Sequence, residues 1–294
     1  GKILGKISDA LDKSNIQKAI DQDVDQGPTN KSLNIISVKN QENQIDVSLK
    51  KGHSFPNGDE NSHLNENLIT VLNPQSYEAE QFRMLKSSLL FPAVGPPPRS
   101  ILITSAIAGE GKSFISSNTA VSIAQNIDEH VLLMDCDIRS PSIHKLFGFS
   151  RKLPGLSDYL SKDISLPSLL LKTKINKLTI LPAGKAPDNP AELLSSGKMS
   201  ELVDELKERY HDRYIIIDSP PLNLISETSV LAKLVDKVIL VVNYRKTKRD
   251  MVTDLIEIVG KEKILGIVIN KFDPTDISYG YHSYYKNYKY GGKN

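Results

Sequence analysis

The sequence predicts an α/β domain in which a mostly parallel sheet is covered by helices on both faces. Short, near-continuous aliphatic runs alternate with helical stretches from residue 76 onward, and the first run leads into a Gly-Glu-Gly-Lys-Ser turn that opens a helix. Strands that are apolar along their whole length are buried on both faces, as parallel sheets require when crossover helices cover them. Two of the runs also end in aspartate, at the sheet edge where ligands of such folds bind.

Taken in order, Ile3, Leu4, Ile7, Ala10 and Leu11 recur at helical spacing, so residues 1–20 read as a short amphipathic helix. Asn, Gln, Asp, Lys, Ser and Gly dominate 21–67, a composition expected of a flexible linker. SYEAEQFRMLKSSLLF is helical, and GPPP at 95–98 stops it. Strands are expected in ILITS (101–105), VLLMD (131–135), LTILP (178–182), YIIID (214–218), KVILVVN (237–243) and ILGIVIN (264–270). Helices are expected in SFISSNTAVSIAQ, AELLSSGKMSELVDELKERY and DMVTDLIEIVG, which makes 68–275 the folded domain. Beyond it, residues 276–294 hold six tyrosines interleaved with Lys, Asn, Ser, His and Gly, and no aliphatic residue follows Ile277. That pattern predicts a disordered, exposed tail.

Composition narrows the function. A chain of 294 residues, 39% of them hydrophobic, can bury one good core, for which about 220 residues suffice. A net charge of only +2 gives no field for nucleic acid, so none is expected as a partner. Cys136 is the single cysteine, which excludes an internal disulfide or a Cys-based zinc site and suits a reducing, cytoplasmic setting. No apolar run approaches the ~18 residues of a bilayer span, and no signal-peptide pattern opens the chain.

SAIAGEGKSFISS has the strand, loop and helix context of a phosphate-binding loop, although Ala106 replaces the first glycine of G-x-x-x-x-G-K-S. Gly109 and Gly111 let the backbone approach phosphate oxygens, and the N–H groups of 109–113 form an anion nest at the helix N-terminus. Lys112 would reach the β- and γ-phosphates, and the Ser113 hydroxyl would ligate Mg²⁺. The nucleotide-binding set is therefore Ala108, Gly109, Glu110, Gly111, Lys112, Ser113 and Phe114. VLLMDCDIRSP places Asp135 and Asp137 on one face of a strand end, and YIIIDSPP ends in Asp218, the hydrophobic-run-plus-Asp form of a Walker B motif. Asp135 and Asp137 are the acid/base candidates, with Asp135 preferred for its place nearer the strand end; Ser113, Asp137 and Asp218 are the metal candidates. Cys136 reads as a small buried residue rather than a nucleophile. NKFD at 270–273 fits a guanine-reading pattern, but an Asn at that strand end also suits adenine, so Asn270 is expected near the base of ATP.

The set SAIAGEGKS, VLLMDCDIRSP and YIIIDSPP, followed by a tyrosine-rich end, resembles the bacterial tyrosine kinases, P-loop autokinases of polysaccharide synthesis and export. Their D-x-D-x-R motif is matched by Asp135, Asp137 and Arg139, and the likeness spans about residues 75–294. GKISDALDKS, the linker and the LTILPAG and PAELLSSGKM stretches are similar to stand-alone, exosortase-associated members. The resemblance implies ATP and Mg²⁺ as cofactors and Lys112, Asp135 and Asp137 as catalytic residues. It also implies autophosphorylation, between subunits, of Tyr279, Tyr281, Tyr284, Tyr285, Tyr288 and Tyr290. It implies a homo-oligomer, an opposing tyrosine phosphatase and recruitment to the inner membrane face by a membrane-anchored chain-length-determinant activator. The family's E-x-x-R-x-x-R assembly motif is met by Glu80, Arg83 and Lys86, and lysine cannot reproduce the arginine fork. Rival readings are a partitioning-type ATPase, whose signature loop lysine is Ile107 here, a GTPase, and a non-catalytic adaptor.

Overall fold

The structure, a computed structural model, describes residues 35–38 as a strand and residues 64–150, 153–209, 213–221 and 225–272. The helix expected in 1–20, most of the 21–67 linker and the tyrosine tail lie outside the described residues. The strands are β1 (Ile35–Val38), β2 (Ser100–Ser105), β3 (His130–Asp135), β4 (Leu171–Lys172), β5 (Leu178–Leu181), β6 (Arg213–Asp218), β7 (Lys237–Asn243) and β8 (Ile264–Asn270). The helices are α1 (Ile69–Leu72), α2 (Tyr77–Leu90), α3 (Lys112–Ala124), α4 (Ile143–Leu146), α5 (Leu156–Ser161), α6 (Pro190–Leu194), α7 (Gly197–Arg209), α8 (Ile225–Leu234) and α9 (Arg249–Val259).

One sheet runs in the order β1-β8-β7-β2-β6-β3-β5-β4, and every pairing is parallel except that of β4 with β5. Successive residues of a strand point to opposite faces. Accordingly Ile101 and Ile103 of β2 join Phe82 of α2 and Ile115 of α3 in one core layer. Leu102 packs in the other layer with Leu202 of α7, Leu231 of α8 and Leu255 of α9. Both faces are buried, which is why these strands read as unbroken aliphatic runs.

Parallel pairing collects the strand ends on one edge. Asp135 and Asp218 are register neighbours on β3 and β6, as are Asn243 and Asn270 on β7 and β8. β2, between β6 and β7, delivers the phosphate-loop candidate to the middle of that edge.

Two expectations are corrected. Residues 35–38, read as linker, form an edge strand with Ile35 opposite Ile267 and Val38 opposite Asn270. A four-residue IISV run is too short to show a period, and only the exposed edge of β8 gives it partners. The single helix expected over 191–210 is two, because Ser195 and Ser196 turn their hydroxyls back to the carbonyls of Ala191 and Leu193 and end α6. Helix α8 and the short antiparallel β4 went unread.

Candidate nucleotide and phosphoryl-transfer site

β2 ends at Ser105, and residues 106–111 turn into α3. Gly111, at the N-cap, has φ +94°, and Gly109 has φ +79°. A Cβ on Gly111 would lie 2.0 Å from Asn270 Nδ2, so glycine is needed there for both the dihedral and the space. The Glu110 side chain turns inward and is fully buried. Its Oε2 accepts from the Ile107 N–H at 3.1 Å, and its Oε1 accepts from the Thr247 hydroxyl and, at 3.4 Å, from the Asn243 N–H. Asn270 Nδ2 donates to the Glu110 carbonyl at 2.7 Å, while its Oδ1 accepts from the Lys271 N–H at 2.9 Å. The ends of β7 and β8 thus clamp the loop. The sequence reading gave Glu110 only a backbone role and did not find Thr247 or Asn243. Asn270, expected beside the base, is fully buried with its amide on the loop.

Behind the loop, the Ser113 hydroxyl donates to Asp218 Oδ2 at 2.6 Å and the Ser116 hydroxyl to Oδ1 at 2.9 Å. Burial pushes the Asp218 carboxyl up to about 6, although Ser113, the Lys112 ammonium and Ser116 all pull it back. Asp135 is fully buried; its Oδ2 accepts the N–H groups of Ser142 and Ile143, both at 3.1 Å, at the start of α4. Its Oδ1 has no hydrogen-bond partner among the described residues. Burial, and then the neighbouring Asp218 charge, hold Asp135 well above the usual carboxylate range.

Asp137 is half-buried and accepts the Ser140 N–H at 3.1 Å. Burial raises it as well, with Lys112 and Arg139 opposing. Of the two acid/base candidates, Asp137 is the one that solvent or a second chain can reach, which revises the preference for Asp135: the strand end that recommended Asp135 also buries it. Burial among these aspartates pushes the Cys136 thiol up, against any thiolate role.

On α2, Glu80 and Arg83 pair with each other at 2.5 Å, and Arg83 also donates to the Pro74 carbonyl at 2.8 Å. Lys86 is half-exposed one turn on. The six tail tyrosines lie outside the described residues.

A strand, a glycine-bearing loop and a helix whose first residues are Lys112 and Ser113, set against a buried Asp218 on the adjacent parallel strand, define a P-loop NTPase, a nucleotide-binding fold. The ParA family model, described as NUBPL iron-transfer P-loop NTPase, matches residues 98–275. Within that class the chain belongs to the bacterial tyrosine kinases. It is 34% identical over 230 residues to the tyrosine-protein kinase YwqD of Bacillus subtilis (strain 168), covering 77% of this chain and 95% of the relative. It also matches the kinase domain of Escherichia coli tyrosine kinase ETK with a TM-score of 0.69 and 26% identity, over 84% of this chain and 95% of that one. The septum site-determining protein MinD from Pyrococcus horikoshii OT3, complexed with Mg-ADP, is less similar: TM-score 0.50 and 25% identity over 65% of this chain and 76% of that one. The partitioning-type reading is therefore the weaker one.

Proposed function

We propose that this chain uses ATP with Mg²⁺ to phosphorylate the tyrosines of its own C-terminal cluster, from Tyr279 to Tyr290, on a neighbouring subunit. The observation that carries the reading is the gathering of Lys112, Ser113 and three carboxylates at one sheet edge, in a chain of this family that ends in six tyrosines. The donors fit a magnesium ion. Ser113 and Asp218 already face each other, Asp135 keeps an unpartnered oxygen, and carboxylates raised by burial beside one another favour a cation. Among the described residues no three His, Cys, Asp or Glu side chains form a metal cage. Magnesium usually takes only one or two carboxylates and completes its shell with phosphate and water. Bound there, it would supply charge to neutralise the phosphates.

The loop N–H groups hold the phosphates, and the Lys112 ammonium offsets charge growing on the transferred group. A tyrosine hydroxyl ordinarily ionises near pH 10, so its proton needs an acceptor. Asp137 is the reachable carboxylate. The phenolic oxygen bonds to Pγ, the bond from Pγ to the β,γ-bridging oxygen breaks, ADP leaves, and the proton passes to Asp137. Residues 68–275 make up the kinase domain in this reading. A membrane-anchored chain-length-determinant activator recruits it to the inner membrane face. Glu80, Arg83 and Lys86 serve self-assembly, a tyrosine phosphatase resets the tail, and the cycle regulates exopolysaccharide synthesis or export.

The test is to incubate the purified chain with Mg²⁺ and labelled ATP or GTP and map phosphate by mass spectrometry. Phosphotyrosine in 279–290 with ATP, lost in Lys112→Met, is expected. Equal use of GTP would favour the guanine reading of NKFD, and label retained by Lys112→Met would sink the assignment of this site.

A further inference from the structure

We infer that Glu227 is a positioning residue for phosphoryl transfer: through Arg139 it fastens the loop bearing Asp137 to helix α8, and so fixes Asp137 relative to Asp218. The inference rests on the reading above and extends it to a residue that no motif marks.

Glu227 stands in the first turn of α8, the helix that follows the segment leaving Asp218. Its side chain is only 1% exposed. Oε1 accepts from Nε of Arg139 at 2.9 Å, with Nη2 of the same guanidinium 2.9 Å away as an ion pair, and Oε2 has no hydrogen-bond partner among the described residues. Arg139, 46% exposed, follows Asp137 by two residues, and the turn between them is closed by the Ser140 N–H on Asp137 Oδ1. The next residue on the helix, Thr228, donates to the Pro220 carbonyl at 3.1 Å, and Thr104 of β2 donates to the same oxygen at 3.2 Å. One helical turn therefore grips the exit from Asp218 with Thr228 and the loop of Asp137 with Glu227.

Fastening a helix does not require a buried charge. The Thr228 hydroxyl does that beside it, whereas a buried carboxylate with one bare oxygen is a costly tie whose replacement by apolar residues is often neutral or stabilising. What the charge adds is control of Arg139. Released, that guanidinium could swing onto Asp137 or onto substrate phosphate and neutralise the carboxylate that must take the phenolic proton. Held by Glu227, it keeps the loop in place and Asp137 available.

The experiment compares Glu227→Gln, Arg139→Lys and the pair combined in the full chain. It reads melting temperature, kcat and KM for ATP, and the Mg²⁺ concentration that half-saturates binding of a fluorescent non-hydrolysable ATP analogue. Glu227→Gln should lower kcat at least about tenfold, as loss of a charge-assisted hydrogen bond predicts. It should also raise the Mg²⁺ requirement, with KM for ATP unchanged because the Glu110 clamp is untouched. The double variant should be no worse than the poorer single one, since both remove one tie. A lower melting temperature with normal kcat and Mg²⁺ dependence, or additive losses, would overturn the inference. Arg139 is half-exposed, so Arg139→Lys tests the idea even if Glu227→Gln fails to fold. Analogue binding needs no tyrosine acceptor, so failure of the autokinase reading would be visible separately.

Discussion

The Ser113 hydroxyl reaches Asp218 Oδ2 at 2.6 Å across 105 residues of chain. This single bond joins the first turn of the phosphate-loop helix to the end of the adjacent parallel strand, so the site's hydroxyl and its carboxylate are held together by the sheet rather than by sequence proximity. Burial dominates the electrostatics of Asp218, and that has a measurable consequence.

Because the Asp218 carboxyl is raised from 3.8 to about 6 in the folded chain, the native state holds its proton more tightly than the unfolded one. The Asp218 contribution to stability in the absence of Mg²⁺ and nucleotide should therefore fall as pH rises from about 4 to about 6 and level off above that range. Asp218→Asn should flatten this slope and raise the melting temperature above pH 6, while activity is lost. Thermal denaturation across pH checks it, and an unaltered slope in the variant would assign the burial penalty to another group.

Glu110→Ala leaves the Ile107 N–H and the buried Thr247 hydroxyl without their shared acceptor. The expected cost is about 1–3 kcal/mol of stability, with nucleotide affinity reduced because the loop loses its brace. Thr247→Val should weaken nucleotide binding in the same direction but less. Calorimetric nucleotide titration checks both, and unchanged affinity in Glu110→Ala would show that the loop keeps its shape without the clamp.

Gly111→Ala meets two obstacles, a φ of +94° and a contact 2.0 Å from Asn270 Nδ2. The dihedral alone costs about 1–3 kcal/mol in a non-glycine residue. Adding Asn270→Ala removes the clash but not the dihedral strain, so the double variant should recover part of the stability lost by the single one. No recovery would mean that the side-chain contact is not what excludes a Cβ.

Glu80→Ala breaks a half-exposed ion pair within one helix, so the monomer should lose less than about 1 kcal/mol. If this face serves self-assembly, sedimentation should show a smaller species at the same concentration with the fold intact. An unchanged oligomer would remove Glu80 from the interface.

All six strands read from the sequence agree with the structure within one residue at either end. A strand buried on both faces has to be aliphatic at every position, and that is visible without knowing what covers it. Gly109, Gly111, Lys112, Ser113 and the aspartates that end β3 and β6 were legible for a related reason, since the demands of a phosphate loop fall on residues adjacent in the chain. The split between α6 and α7 was hidden by a helical pattern that continues through both, and β1 by its brevity.

What the sequence could determine by itself was the composition of the site: which hydroxyl, which ammonium and which carboxylates are present, and that they stand at strand ends. Only the tertiary structure decided how they are shared out. It buried Asp135 against α4 and left Asp137 within reach, turned Glu110 inward to Thr247, which lies 137 residues away, and set Glu227 on Arg139 across 88. Such partners are chosen by the order in which strands lie side by side, and neighbours in the sheet such as β2 and β6 are far apart in the chain. Local periodicity carries no record of that order, because burying a strand's apolar faces constrains the type of its neighbours but not their identity.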